Sequence, residues 1–266
     1  MTKNKELKKP DVVLENLQTG FQWSQAHSQA LAIAAAVGIL LGGGWSAWSY
    51  FAEKTESKAQ ESFYAAERTY LKIKEGFDRA EQEAQRLAEA KKDPKKKSDA
   101  DMKPVETAAS GDLQKDYGSV LPTLKQVIAD HSGTKGAQMS ALTLSQIYSQ
   151  YHQDTEAIQV LKDLVSKVSS KGLLGALILN QYASLLANQE KCNEAVHVWN
   201  QISDTKGGFL ISEAHLRAGV CYDQMKDYKK AQDSLEKAKV GDTQIAKTAE
   251  RYLRVVRQKL NQEPNS

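Results

Sequence analysis

Hydrophobic and polar positions follow three different patterns along this chain. From Asn16 to Ala52 there is no Asp, Glu, Lys or Arg, and inside that stretch Ala30–Phe51 reads ALAIAAAVGILLGGGWSAWSYF. From about Thr55 to Lys92 the apolar residues Ala59, Phe63, Ala66, Tyr70, Ile73, Phe77, Ala80, Ala84 and Leu87 recur at alternating steps of four and three, with charged residues between them. That heptad stripe predicts one long amphipathic helix. Beyond position 112 the pattern repeats. Aligned on Val120, Ala157, Ala195 and Ala231, its copies lie at intervals of 37, 38 and 36 residues.

In each copy large residues flank the small one. Leu144, Ser145 and Tyr148 precede Ala157, with Leu161 and Leu164 after it. Tyr182, Ala183 and Leu186 precede Ala195, with Trp199 and Ile202 after it, and Ala218, Gly219 and Tyr222 precede Ala231, with Leu235 and Ala238 after it. The first copy is a half: Tyr117, Val120 and Leu124 supply a second helix, and the segment before it lies where a first helix belongs. This pattern resembles the tetratricopeptide repeat, a helix–turn–helix unit of about 34 residues whose small residues let paired helices approach closely. One such pair cannot bury its apolar face alone, so the copies are expected to stack. Thr243–Leu260, with Ala246, Ala249, Leu253, Val256 and Leu260 on one face, reads as a capping helix.

The uncharged run has the length of a membrane span. Its 22 residues as a helix cover about 33 Å, matching a hydrocarbon core of roughly 30 Å. Trp45, Trp48, Tyr50 and Phe51 cluster at one end, where amphipathic rings favour the interface. No good small-x-small cleavage site follows, so an uncleaved anchor is expected. Charge says little about its orientation. A short tail in the cytoplasm with the long C-terminal part across the membrane is the commoner arrangement. Ala30, Ala34, Gly38, Gly42 and Ser46 recur every four residues and form a small-residue stripe suited to packing against another membrane helix.

Residues 91–112 hold two Pro and six Lys and read as a solvated linker. The heptad helix is expected to pack on its own chain; pairing with a second copy is the alternative. Lys+Arg is 36 against Asp+Glu 33, a net charge of +3, too mild for a dedicated nucleic-acid binder. Two cysteines exclude a disulfide scaffold and a structural zinc site. Cys192 and Cys221 fall in neighbouring repeats, and two buried free thiols are the favoured reading over a bridge.

No catalytic constellation is present, and no cofactor or metal is called for. Ser132–Gly136 has the wrong order and spacing for a phosphate loop and reads as a turn between repeats. His27, His131, His152, His197 and His215 lack ligand spacing and are taken as surface or satisfied histidines. First helices line the inner surface of such a stack. The register places Met139, Leu142, Gln146, Gln150, Asn180, Ser184, Asn188, Leu216, Asp223 and Gln224 there. Amides can pair with a peptide backbone, and Met and Leu give adaptable apolar contact. No Lys or Arg occupies these positions, which disfavours clamping of a terminal carboxylate.

The stretch AVGILLGGGWSAWSYFAEKTESKAQESFYAAERTY, followed by degenerate repeats, resembles the start of the single-span repeat proteins that serve as ancillary subunits of the bacterial Sec translocon. The Lys-rich segment departs from the compact pattern of that family. The resemblance implies a bacterial inner-membrane protein with periplasmic repeats and with translocon subunits, periplasmic chaperones or emerging proteins as partners. The expected architecture is all-α: cytoplasmic tail 1–29, transmembrane helix 30–51, long heptad helix 52–92, linker 93–112, a repeat solenoid with its cap over 113–260, and a disordered tail 261–266. The expected function is protein interaction without catalysis. The alternative is a homo-oligomeric envelope scaffold assembled through the long helix.

Overall fold

Small residues at the repeating positions, large ones around them and polar turns between produce a run of helix hairpins. The computed structural model describes residues 28–92, 108–241 and 243–262, and the side chains of 28–44, 46 and 90–92 lie outside that description. The helices are α1 (Ser28–Lys92), α2 (Leu113–Tyr117), α3 (Leu121–Asp130), α4 (Lys135–Gln150), α5 (Asp154–Val165), α6 (Leu173–Asn188), α7 (Cys192–Ser203), α8 (Ile211–Gln224), α9 (Tyr228–Ala238) and α10 (Thr243–Gln262). No strand occurs among the described residues. The chain divides into two units, Met1–Lys54 and Thr55–Ser266.

In the first unit the backbone is helical from Ser28. The expected transmembrane helix 30–51 is not recovered as such: among the described residues, no helix is long and apolar enough to cross a membrane. The side chains that make up most of the apolar run, including Ala30, Ala34, Gly38, Gly42 and Ser46, lie outside the described residues. From Glu53 onward α1 carries charges throughout, so its described part is amphipathic. Trp45, Trp48, Tyr50 and Phe51 are described, and each is 60 to 69% exposed. The expected tail is outside the description over 1–27, as is the linker over 93–107.

In the second unit, α4 pairs with α5, α6 with α7 and α8 with α9, and each first helix also touches the next: α4 with α6, α6 with α8, α8 with α10. Ala157, Ala195 and Ala231 are fully buried and Val120 is 1% exposed, because these positions mark the close crossings. At Gly219 the approach is closer still. A Cβ there would fall 2.7 Å from Leu235 Cγ, which real side chains do not tolerate. The turn inside each hairpin is the same in three copies. His152, Glu190 and Lys226 adopt left-handed conformations with φ of 58°, 61° and 62°. The following N–H reaches back to the last turn of the first helix: Gln153 to the Tyr148 carbonyl, Lys191 to Leu186, Asp227 to Tyr222, at 2.9 to 3.0 Å. This is the Schellman closure of a helix C-terminus. The expected turn at Ser132–Gly136 is present: Gly133 is left-handed, and Thr134 caps α4 by accepting the Ala137 N–H at 3.1 Å.

The long helix supplies what the half repeat lacks. Phe63 and Ala66 are buried in one cluster with Leu113, Tyr117, Val120, Leu124 and Leu144, and Tyr70, Ile73 and Phe77 pack against it. The start of this segment meets the start of α4, where a Cβ on Gly136 would fall 2.5 Å from the Ala59 carbonyl carbon. Further along, the Tyr70 and Phe77 rings meet Tyr117, whose ring also meets Tyr151 just past the end of α4. The segment from Thr55 therefore runs parallel to α4, as the first helix of a hairpin with α3. Along the heptad seam Ala59, Phe63, Ala66 and Ala80 are buried, Tyr70, Ile73 and Phe77 are half-buried against the repeats, and Ala84 is exposed. A coiled coil with a second copy through this seam would have to displace these contacts.

Candidate partner-binding surface

The first helices α4, α6, α8 and α10 follow one another along one side of the stack, so their outward positions make a continuous wall. Gln146, Gln150, Asn188 and Gln224 are exposed on it. Met139 and Leu142 are half-buried against the first core cluster, and Leu216 packs against the last one.

Three of the expected positions are engaged within the stack, two of them by the next repeat. Trp199 Nε1–H donates to Asn180 Oδ1 at 2.9 Å, and Asn180 Nδ2–H donates to Glu213 Oε1 at 3.3 Å. The same Glu213 oxygen accepts from Arg217 at 2.8 Å. The Ser184 hydroxyl donates to the Asn180 carbonyl at 2.8 Å. Asp223 accepts both of its hydrogen bonds from Lys259 on α10, at 2.7 and 2.8 Å, while the Lys259 ammonium lies 5.5 Å from the Tyr228 ring centroid. Both charged pairs on the wall are thus neutralised internally. The sequence alone could not show the partners on other helices, which sit 19, 33 and 36 positions away.

Cys192 and Cys221 are bridged, with Cα atoms 5.3 Å apart. The free-thiol reading is corrected: the first residue of α7 and the last turn of α8 are brought side by side by the hairpin stacking, within disulfide reach. Both sulfurs are in the core, the residues being 5% and 2% exposed. Gln224 Oε1 lies 2.9 Å from Cys192 Sγ, so the bridge abuts the wall.

At the N-terminal end of the stack, Tyr151 O–H donates to Asp116 Oδ2 at 2.7 Å, and Asp116 also accepts from the Ser110 N–H and hydroxyl and the Gly111 N–H. Burial works to raise the Asp116 pKa, but these hydrogen bonds outweigh it and hold the carboxyl below its usual range. Burial, then the Tyr70 and Asp116 charges, push Tyr117 up to about 12. Its hydroxyl is buried without a partner among the described residues, as is His131 Nδ1, although His131 itself is partly exposed. A cavity of about 440 Å³ lies nearby, lined in part by Asp112, Gln114, Tyr148 and Glu156. No group of three or more His, Cys, Asp or Glu residues that could hold a metal occurs among the described residues.

The geometry is that of a TPR-like stack of α-hairpins, with small residues at the buried crossings. No family model and no curated protein matches the chain. Among solved structures, TPR-like repeats of a kinesin light chain from Podosopora anserina are 16% identical over 57% of this chain and 82% of theirs, with a TM-score of 0.46. BtubC (BKLC) from P. vanneervenii is 16% identical over 81% of this chain and 94% of its own, with a TM-score of 0.41. The repeat assignment rests on the hairpins themselves.

Proposed function

We propose that this chain is a non-enzymatic, membrane-anchored protein-interaction module of the bacterial inner membrane. Residues 30–51 span the bilayer, and the repeats lie in the periplasm near the Sec translocon. There they receive emerging proteins or hand them to periplasmic chaperones. The small-residue stripe Ala30, Ala34, Gly38, Gly42 and Ser46 docks the span on a translocon subunit, and the wall of exposed amides holds an extended segment.

The observation that carries the membrane part is the group Trp45, Trp48, Tyr50 and Phe51, each more than half exposed at the end of an uncharged run. Four exposed aromatics side by side are unfavourable in water and suit a lipid interface. The Cys192–Cys221 bridge supports the periplasmic side, since disulfides persist in oxidising compartments.

The test is a detergent pull-down of the intact chain and of a variant with the five stripe residues changed to Leu. Loss of translocon subunits from the variant supports the reading. Unchanged recovery argues against docking through this face.

A further inference from the structure

A second cavity, of about 660 Å³, opens on the edge of the stack where the start of α8, the end of α9 and the start of α10 meet. That volume is within the range of small-molecule sites, roughly 300–1,000 Å³. Leu210, Ile211, Val240 and Ile245 make its apolar walls, and His215 and Lys237 complete it. Val240 is 75% exposed at the rim, so its side chain is open to a ligand in the cavity. Leu210 holds a left-handed conformation, φ 60°, without the Schellman closure seen at His152, Glu190 and Lys226. Strain of this kind in a bulky residue collects at binding sites.

The polar inventory of this cavity decides what fits. The Ser212 hydroxyl donates to the Val240 carbonyl, and Glu213 is engaged by Arg217 and Asn180. Lys237 makes no ion pair among the described residues, so the cavity presents one uncompensated positive charge beside apolar walls. Burial, and then the Lys237 charge, lower the His215 pKa against the opposing pull of Asp204, so the ring is neutral at pH 7 and offers a hydrogen bond without charge. A peptide brings several amide groups that would need partners when buried. An alkyl carboxylate brings one polar group and an apolar chain.

We propose that this cavity binds a medium-chain alkyl carboxylate, its head on Lys237 and His215 and its chain along Leu210, Ile211, Val240 and Ile245. The site adjoins the wall at Glu213 and does not depend on the membrane reading. The test is photolabelling of the purified full-length chain with a diazirine-bearing decanoate analogue, followed by peptide mapping. The expected label falls on 208–215 and 237–245 and is displaced by decanoate but not by decanol. It drops at least fivefold in Lys237→Ala and in Val240→Glu. Both side chains are exposed, so both variants are expected to keep the parent melting curve. Label elsewhere, displacement by decanol, displacement by a peptide ending in free leucine, or unchanged labelling in the two variants would overturn the assignment.

Discussion

Glu56 caps a helix that begins at Lys135, 79 positions later in the chain: its Oε2 accepts the Lys135 N–H at 2.9 Å. Its other oxygen takes the Gly136 N–H at 3.3 Å. Two of the four orphan donors of α4 are thereby satisfied by a residue of α1, and a carboxylate sits at the positive end of the helix dipole. The same junction is closed by Gly136 against the Ala59 backbone. These contacts bind the segment from Thr55 into the repeat stack.

Removing the cap should therefore loosen that segment. Glu56→Ala is expected to lower stability by about 1 kcal/mol, the usual worth of a helix cap. Gly136→Ala is expected to lower it by about 1–3 kcal/mol, because the added Cβ cannot be accommodated beside Ala59. Urea denaturation followed by helical circular dichroism measures both. A Gly136→Ala chain as stable as the parent would mean that α1 does not pack there.

The bridge between Cys192 and Cys221 closes a span of 29 residues across two repeats. Its removal by the double change to Ala is expected to lower stability by about 3.5 kcal/mol on the loop-entropy scale. The native, unreduced chain should not react with iodoacetamide, and the reduced, unfolded chain should take up two labels. Two labels on the unreduced chain would show that the thiols are free.

The left-handed turns give a gain instead of a loss. Glu190 and Lys226 are exposed and hold φ near 60°, where a side chain is strained and glycine is not. Glu190→Gly or Lys226→Gly is expected to raise stability by up to about 1 kcal/mol, read as a shift in the urea midpoint with an unchanged slope. Destabilisation by either change would mean that the side chain has a role beyond the turn.

Acid should act on the Asp116 cluster. The folded pKa of Asp116 lies below that of the unfolded chain, so the unfolded state takes up the proton first. The contribution is full above about pH 4, the unfolded carboxylate value, and is lost as pH falls further. Asp116→Asn is expected to flatten that acid limb and leave the slope near neutrality unchanged. An identical acid limb in the variant would place the titration elsewhere.

The repeats were legible because their crossings demand small residues: Ala157, Ala195 and Ala231 are fully buried where the intervals put them. The heptad seam was legible from Ala59 to Ala80 for the same reason of periodicity. Its destination was not, because the Lys-rich segment separates the seam from Tyr117 in sequence while the fold brings their rings within 6 Å. Pairings between repeats were hidden as well. The register put Cys192 and Cys221 in neighbouring repeats but did not fix the distance between them, which the stacking sets at 5.3 Å between Cα atoms. Asn180 and Asp223 read as free groove residues because their partners, Trp199, Glu213 and Lys259, lie on other helices.

Holding other proteins at a membrane is the role proposed for this chain. Its most direct test is proteomic identification of what co-purifies with the intact chain, crosslinked in native membranes before detergent is added. The account predicts Sec translocon subunits together with periplasmic chaperones or exported proteins. Recovery of the chain with copies of itself alone, or with cytosolic proteins alone, would contradict it.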